Sequence, residues 1–281
     1  MNAAFALRAQ APSDAQIGLP VPVATVGGLP IAVINRADCA KLMVDLATAR
    51  RDEGRPALVF TSANGQVLSM CEASSDIRAL FLACDLINAD GMPLVFASQW
   101  LSDRKLPERV ATTDLVYEVA ALAQERGVSF YLLGAAADVV QQAAEHLKQR
   151  YPRLQIVGHR HGYFSAEEEA DVVAAINAVR PDILWLGLGV PAEQRFALRH
   201  REHLRGVGLI KTSGGLFDFL SGKNRRAPEW MQAAGLEWAF RVYLEPRRLL
   251  GRYMRTNPHA LFLLLTKTRS SKAGSSRPEG S

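Results

Sequence analysis

The sequence predicts an α/β fold, in which a mainly parallel sheet carries helices on both faces and a helical appendage follows. Short apolar runs, too short for helices, alternate with segments of helical periodicity, as in parallel βαβ units. The 281 residues are 48% hydrophobic and 22% charged, which is enough to bury one large core. Strand patterns stop after Gly222, beyond which only helical periodicity remains. The combination is typical of a Rossmann-like domain with a C-terminal helical extension.

The predicted elements divide the chain into four parts. Residues 1–28 are rich in Ala, Pro and Gly and are predicted to be a flexible leader. The α/β core is predicted over residues 29–222, the helical appendage over 223–268, and a disordered basic tail over 269–281. Strands are predicted at residues 28–34, 57–61, 85–88, 128–133, 155–158, 183–188 and 207–212, with helices between them. About six of these strands are expected to form one parallel sheet.

The stretch from Thr61 to Ala97 is the most informative part of the chain. Two polar turns, Ser62–Gly65 and Ala89–Gly91, each follow a predicted strand. They are expected at the carboxyl ends of neighbouring parallel strands, the edge at which open α/β sheets bind ligands. Asp90, in the second turn, is the first candidate for a catalytic residue. An alternative stays open, because Asp-Gly-Met-Pro is also typical of a helix start with a capping carboxylate.

A glycine-rich turn from Gly187 to Ala192 matches the GxGxxA pattern of dinucleotide sites. It lies late in the chain, and the strand about 20 residues further on ends in Lys-Thr, without the acid that would bind a ribose. NAD is therefore not favoured. A phosphate or another part of a nucleotide still fits a helix start with glycines.

The sequence lacks the motifs of several common kinds of metal, redox and nucleotide site. The three cysteines have no CxxC spacing, which fits a reducing compartment and gives no zinc or redox motif. His159 and His161 could form a metal pair, but no companion ligand lies nearby in the sequence. No DxD, GxSxG or Walker sequence occurs. We therefore predict neither a metal nor a cofactor, and arginines must balance the charge of any diphosphate.

Charge and hydropathy indicate where the protein acts. The N-terminal residues lack the apolar core of a signal peptide, and no window reaches the roughly 18 apolar residues of a membrane span, so we expect the protein in the cytoplasm. Residues 239–281 contain nine Lys or Arg against two Glu, a net charge of +7, whereas the other 238 residues carry −2. A basic end on a near-neutral body suggests an anionic partner.

The appendage interleaves aromatic residues with arginines, as Trp238 and Tyr243 beside Arg241 and Arg247 illustrate. Such helices suit an interfacial contact with a membrane. A compatible alternative is a helical cap that buries its aromatics on the sheet. A non-catalytic adaptor built on the basic end is a second alternative, although nucleic acid is not a predicted partner.

Eight short sequence blocks follow one another along the chain. They are TSANGQVL, NADGMPLV, ERVATTDL, LLGAAADV, GHRHGYF, RPDILWLGLGVP, GGLFDFLSGKNRRAPEW and GLEWAFRVYLEPRRLLGRY. In these blocks the chain resembles the WecG/TagA/CpsF family of bacterial glycosyltransferases, from Leu29 to Asn257. The Thr-Ser-Ala-Asn-Gly-Gln version is similar to members that act in exopolysaccharide assembly.

The resemblance implies a metal-independent, inverting transfer of a sugar from a UDP-sugar to a polyprenyl-diphosphate-linked sugar. The general base of the family matches Asp90, and its neighbouring hydroxyl and amide match Ser62 and Asn64. The arginines of its appendage match Arg241, Arg248 and Arg252. In the family this appendage completes the active site and touches the inner face of the cell membrane, and active monomers can be in equilibrium with homo-oligomers. The donor stays open among glucose, N-acetylmannosamine and its uronic acid.

Two departures from the family pattern concern the nucleotide. The usual Pro-Lys-Gln-Glu is Pro-Ala-Glu-Gln here, ending at Gln194, which rearranges that contact. The usual Gly-Gly is Gly134-Ala135, which leaves less backbone room. The further substrate contacts that we predict are Gly134, Gly187, Gly189, Gln194, Gly214 and Gly215. A nicotinamide-dependent oxidoreductase that uses the Gly187 turn remains the alternative enzyme.

Overall fold

The computed structural model describes residues 19, 21–50, 55–204 and 206–269. Strands of this part are β1 (Val23–Val26), β2 (Leu29–Ala32), β3 (Leu58–Ala63), β4 (Leu86–Ala89), β5 (Ser129–Gly134), β6 (Gln155–Arg160), β7 (Ile183–Gly187) and β8 (Leu209–Thr212). A parallel sheet has the strand order β4-β3-β8-β7-β5-β6. This sheet confirms the predicted architecture.

Helices cover both faces of the sheet, as predicted. They are α1 (Arg36–Arg50), α2 (Gly65–Ala73), α3 (Ser75–Leu82), α4 (Met92–Leu101), α5 (Thr112–Arg126), α6 (Ala137–Arg150), α7 (Glu169–Val179), α8 (Ala192–His200), α9 (Leu216–Leu220), α10 (Glu229–Ala233), α11 (Glu237–Leu244) and α12 (Pro246–Lys267). On one face, Met43 of α1 and Val119 of α5 pack with Trp185. On the other, Ile176 of α7 and Phe196 of α8 pack with Leu184.

An N-terminal hairpin replaces part of the predicted leader. β1 lies inside residues 1–28, and it pairs with β2 in an antiparallel register that joins Val26 to Leu29. Gly27 and Gly28 form the two-residue turn with φ values of 57° and 85°, which suits the tight turns of hairpins. The composition obscured this strand, because the glycine pair is a turn signal rather than a sign of disorder. Residues 1–18 of the predicted leader lie outside the described residues.

The crossover from β3 to β4 contains two helices, α2 and α3. α2 ends at Ala73, and Ser74 then caps α3 by accepting a hydrogen bond from Ile77 N at 3.3 Å. Serine competes with the helical backbone for hydrogen bonds, which explains the break.

The C-terminal half of α12 packs on the α/β core. Ser69 Oγ of α2 lies 2.9 Å from His259 Nδ1, and Leu263 and Leu264 are buried against the hairpin side. Beyond the helix, Thr268 Oγ1 accepts from Gly27 N at 3.1 Å. The appendage is therefore anchored at its far end, and of the predicted basic tail only Arg269 is described. No helix of the described chain has the length and apolar character to cross a bilayer.

Candidate active site

The floor of the candidate site is the carboxyl edge of β3, β4 and β8. β3 pairs in parallel with both neighbours, and Ser62 aligns with Asn88 in the register of β4. Side chains that follow these strands therefore meet at one edge. The geometry confirms that the turns after β3 and β4 are adjacent.

Asp90 follows β4 and points to the start of α5. Its Oδ2 accepts from Thr112 Oγ1 at 3.4 Å and from Thr112 N at 3.5 Å. Thr112 is the first residue of α5, so the carboxylate also faces the positive end of that helix. Oδ1 accepts no hydrogen bond from the described residues. The capping interpretation is wrong, because α4 begins after Gly91 without a side-chain cap.

Burial and neighbouring charges act on Asp90 in opposite directions. Burial raises the pKa of Asp90, whereas the charges of Arg109 and Lys211 lower that pKa. Glu237, on the appendage, raises the pKa again. A carboxyl group with a raised pKa at the carboxyl edge of an α/β sheet is a common arrangement for a general base.

Ser62 lies between Asp90 and a buried lysine. Its Oγ is 3.2 Å from Thr112 Oγ1 and accepts a hydrogen bond from Lys211 Nζ at 2.9 Å. Lys211 is 0% exposed, and its burial lowers its pKa while Asp90 raises that pKa. Ser62 thus lies where the sequence predicts it, and Lys211 is an unpredicted cation beside it.

Asn64 has a structural use that limits its predicted catalytic role. Its Oδ1 accepts from Val67 N at 3.1 Å and so caps α2. The side chain is exposed, and its amide NH₂ group is the part available to a ligand.

The predicted glycines fall into two kinds. Gly134 and Gly187 are paired across β5 and β7, and a Cβ built on Gly134 would meet Gly187 O at 2.2 Å. Gly189 and Gly214 have φ values of 80° and 53°, with nothing within 4 Å of an added Cβ. Gly215 precedes α9. Packing therefore requires glycine at positions 134 and 187, whereas Gly189 and Gly214 have open space beside them at the strand ends.

Gln194 lies beneath the site rather than at its surface. It is 0% exposed, and its Nε2 donates to Thr61 Oγ1 at 3.0 Å. The neighbouring Glu193 accepts from Gly214 N at 2.9 Å, and burial raises the pKa of Glu193 to about 7. Both side chains therefore support the turns after β7 and β8, which differs from the predicted direct contact of Gln194 with substrate.

A network of ion pairs joins the appendage to the core beside Asp90. Arg109 Nη1 donates to Glu237 Oε2 at 2.7 Å, and Arg226 Nη1 donates to Asp114 Oδ1 at 2.8 Å. Gln232 accepts hydrogen bonds from both arginines. Because these side chains are largely buried, the pairs are screened less than surface pairs are.

Of the predicted arginines of the appendage, the two whose side chains are described each contact an aromatic ring. The Arg241 guanidinium lies 5.5 Å from the centre of the Phe219 ring and lines a cavity of about 330 Å³ with Lys223 and Arg225. The Arg252 guanidinium lies 4.8 Å from the Tyr253 ring, and its buried Nε has no hydrogen-bond partner among the described residues. The side chain of Arg248 lies outside the described residues. Arg109, Arg226 and Lys211 are described cations that act on Asp90.

Sequence reasoning missed four residues of the site, namely Arg109, Thr112, Glu193 and Lys211. Lys211 had a readable signal, because it is a charged residue in the otherwise apolar strand pattern of Val-Gly-Leu-Ile-Lys-Thr. The other three are ordinary residues of loops and helix starts, and their roles depend on tertiary contacts.

Metal ligands and reactive thiols are scarce at this edge. Within the described residues, no group of three or more His, Cys, Asp or Glu side chains is arranged to hold a metal ion. Burial raises the pKa of Cys39 to about 11 and the pKa of Cys84 to about 12, so both thiols are neutral near pH 7.

The fold and the site define a class of protein: a Rossmann-like α/β domain with polar side chains at the carboxyl ends of its strands, followed by a helical appendage. The model of the family described as Glycosyl transferase WecG/TagA/CpsF family matches residues 24–274, and the chain belongs to that family. The protein is therefore a glycosyltransferase, which sets aside the oxidoreductase and the non-catalytic adaptor.

Two relatives are similar over most of their length. One, from Bacillus subtilis (strain 168), is 28% identical over 221 residues, which cover 79% of this chain and 84% of the relative. Another, from Staphylococcus aureus (strain NCTC 8325 / PS 47), is 28% identical over 192 residues, covering 68% and 74%. Each is named an N-acetylglucosaminyldiphosphoundecaprenol N-acetyl-beta-D-mannosaminyltransferase.

Proposed function

We propose that this glycosyltransferase moves a sugar from a UDP-sugar to a polyprenyl-diphosphate-linked sugar, with inversion and without a metal ion. The reaction would serve the assembly of an exopolysaccharide or another cell-surface glycan. The observation that carries the proposal is the placement of Asp90, whose Oδ2 is held by Thr112 while Oδ1 accepts no hydrogen bond from the described residues.

Inversion needs one base and one leaving group on opposite faces of the sugar ring. Asp90 Oδ1 takes the proton of the acceptor hydroxyl, and the freed oxygen forms a bond to C1 of the donor sugar. The bond from C1 to the diphosphate breaks at the same time, and its electron pair leaves with UDP. One carboxylate therefore completes the proton balance.

Arginines and lysines would supply the countercharge for the departing UDP. Arg109 lies close enough to Asp90 to lower its pKa, and Lys223, Arg225 and Arg241 line one basic cavity. The open turns at Gly189 and Gly214 offer space for a phosphate group near the strand ends. Preorganised cations of this kind stabilise charge that develops in a transition state.

The names of the relatives support this acceptor class, because they contain N-acetylglucosaminyldiphosphoundecaprenol. At 28% identity the donor sugar can differ, so N-acetylmannosamine is the first donor to test, with glucose and the uronic acid next.

A transfer assay tests this function. UDP release is measured with each UDP-sugar, a short-chain polyprenyl-diphosphate-linked N-acetylglucosamine as acceptor, and EDTA in the buffer. We expect acceptor-dependent release with one donor of the panel. Silence with every donor, together with no UDP binding by calorimetry, would remove the proposal.

We also propose that the protein works in the cytoplasm, peripherally bound to the inner face of the cell membrane. An apolar stripe on α12 supports this. Its residues are Leu250, Met254, Leu261 and Leu265, with exposed fractions of 48%, 70%, 57% and 60%. Spacings of four, seven and four residues place them on one face of a helix. Exposed Arg247 and Arg255 can meet anionic headgroups.

The stripe leads to a testable prediction. Met254→Glu combined with Leu261→Glu should weaken binding to vesicles that contain anionic lipid by about 10²-fold or more, because two apolar contacts are lost and negative charge is added. The matched control is Val179→Glu on α7, a 40% exposed residue far from α12 in the sequence. Co-sedimentation with vesicles measures both. Equal sedimentation of the double variant and the control would place the membrane contact elsewhere.

A further inference from the structure

A buried lysine lies under the candidate site, and none of the described residues gives it an acidic hydrogen-bond partner. Lys211 is in β8, between β3 and β7, and it is 0% exposed. Its Nζ donates to Ser62 Oγ at 2.9 Å and to Thr212 O at 2.8 Å, and both acceptors are neutral. Burying an ammonium group without a directly bonded carboxylate destabilises a fold, so such a group is a candidate for a functional role.

Lys211 begins a chain of hydrogen bonds that ends on Asp90. An ammonium group can only donate, so Ser62 Oγ accepts from it and the proton of Ser62 is left to point to Thr112 Oγ1, 3.2 Å away. The Thr112 hydroxyl then donates to Asp90 Oδ2 at 3.4 Å. The direction of every proton is therefore set from Lys211 towards Asp90. Long hydrogen bonds are common in catalytic sites without substrate.

The sheet register explains why these side chains meet. Lys211 of β8 aligns with Phe60 of β3, so these two side chains lie on the same face of the sheet. Ser62 lies two residues after Phe60 in β3, and alternate residues of a strand share a face, so Ser62 lies on that face as well. Thr112 opens α5, which packs on that face. The hydrogen-bond chain therefore runs along one face of the sheet to its carboxyl edge.

We propose that Lys211 is a positioning residue for the transfer reaction. Through Ser62 and Thr112 it fixes Asp90 Oδ2, so that Oδ1 is free to take the proton of the acceptor hydroxyl. The inference rests on the proposed role of Asp90 as the base.

Other charged groups face the same two residues. Asp90 is also faced by Arg109, Glu237 and Arg226, and Lys211 by Cys39, Glu193 and Cys84. Arg109 is already paired with Glu237 and Asp114, whereas Lys211 is hydrogen-bonded to no carboxylate in the described part of the chain. Because the ammonium lowers the pKa of Asp90, removing it should raise that pKa. The base would then become protonated at a higher pH.

The test is a direct titration of Asp90 in the full-length protein. The carboxyl carbons of aspartate are labelled with carbon-13, and the Asp90 signal is assigned by its loss in Asp90→Asn. We expect Lys211→Met to raise the Asp90 titration midpoint by about one pH unit, and Thr112→Val to raise it by less. Thr112→Val removes the hydroxyl that joins Ser62 to Asp90 while Lys211 is retained, so it provides the test if Lys211→Met does not fold. Lys41→Met, an exposed lysine of α1, should leave the midpoint unchanged.

The titration needs no transfer activity, so it separates this inference from the proposed function. In the transfer assay, the acidic limb of kcat/KM should move to higher pH by the same amount in Lys211→Met, with UDP affinity unchanged. Shifted midpoints in a protein that transfers no sugar would support the hydrogen-bond chain and leave only the proposed function without support. An unchanged Asp90 midpoint in Lys211→Met, or in Thr112→Val where Lys211→Met does not fold, would overturn the inference.

Discussion

Asp90→Asn is expected to lower kcat by about 10²–10⁴-fold while UDP binding is retained. Asparagine has the shape of aspartate, and its amide oxygen can still accept from Thr112 N and Oγ1, so the turn after β4 keeps its geometry. What is lost is the site for the acceptor proton. Because the contacts of Asp90 are with α5 rather than with the glycine turns, nucleotide affinity should change little.

The measurement is kcat with the preferred donor, alongside UDP affinity by calorimetry. Asp45→Asn on α1 is the matched control, since this carboxylate forms an exposed ion pair with Arg126 that contributes less than about 1 kcal/mol. Urea unfolding of both variants checks that the fold is intact. Turnover like that of the wild-type protein in Asp90→Asn would exclude Asp90 as the base.

Because α12 packs on the core, point variants test the membrane contact of the appendage better than a deletion does. Deletion of residues 239–281 would remove a membrane contact and also strip Leu263 and Leu264 from the core beside the hairpin. Loss of activity after that deletion could therefore result from unfolding as well as from the loss of contacts with the substrate or the membrane. Point variants on the exposed stripe leave the buried face of the helix intact, so they isolate the surface contact.

Periodicity made the sheet and the position of Asp90 predictable. Parallel strands followed by helices bring their carboxyl ends to one edge, so the turns at Ser62 and Asp90 had to be close wherever β3 and β4 are neighbours. The local pattern of Asp-Gly-Met-Pro also favours capping, so the sequence alone left Asp90 open between a catalytic residue and a helix cap. The choice was made by Thr112, a tertiary partner 22 residues away in sequence, which takes the Asp90 carboxylate away from α4.

The residues around Asp90 were beyond sequence reasoning because they depend on register. Lys211 reaches Ser62 across 149 residues of sequence, and only the pairing of β3 with β8 sets their alignment. Likewise, Gln194 looked like a substrate contact because it follows a glycine turn. Helical geometry directs its side chain inward to Thr61, where it is 0% exposed.

Gly134→Ala is expected to destabilise the fold by about 3–5 kcal/mol, which is a large share of the roughly 5–15 kcal/mol that keeps an ordinary domain folded. Gly134 has a φ of 149°, which favours glycine, and its added Cβ would lie 2.2 Å from Gly187 O. The obstructing atom belongs to the backbone of β7, the neighbouring strand, so relief would require β5 and β7 to separate.

Gly214→Ala is the matched control for this packing argument. Gly214 also has a positive φ, 53°, but an added Cβ meets nothing within 4 Å, so only backbone strain of about 1–2 kcal/mol is expected. Urea unfolding measures the free energy of unfolding of both variants. If Gly134 served only to admit a nucleotide, Gly134→Ala would fold with nearly wild-type stability and lose UDP affinity. A large loss of stability would instead show that the packing of β5 against β7 requires glycine at position 134.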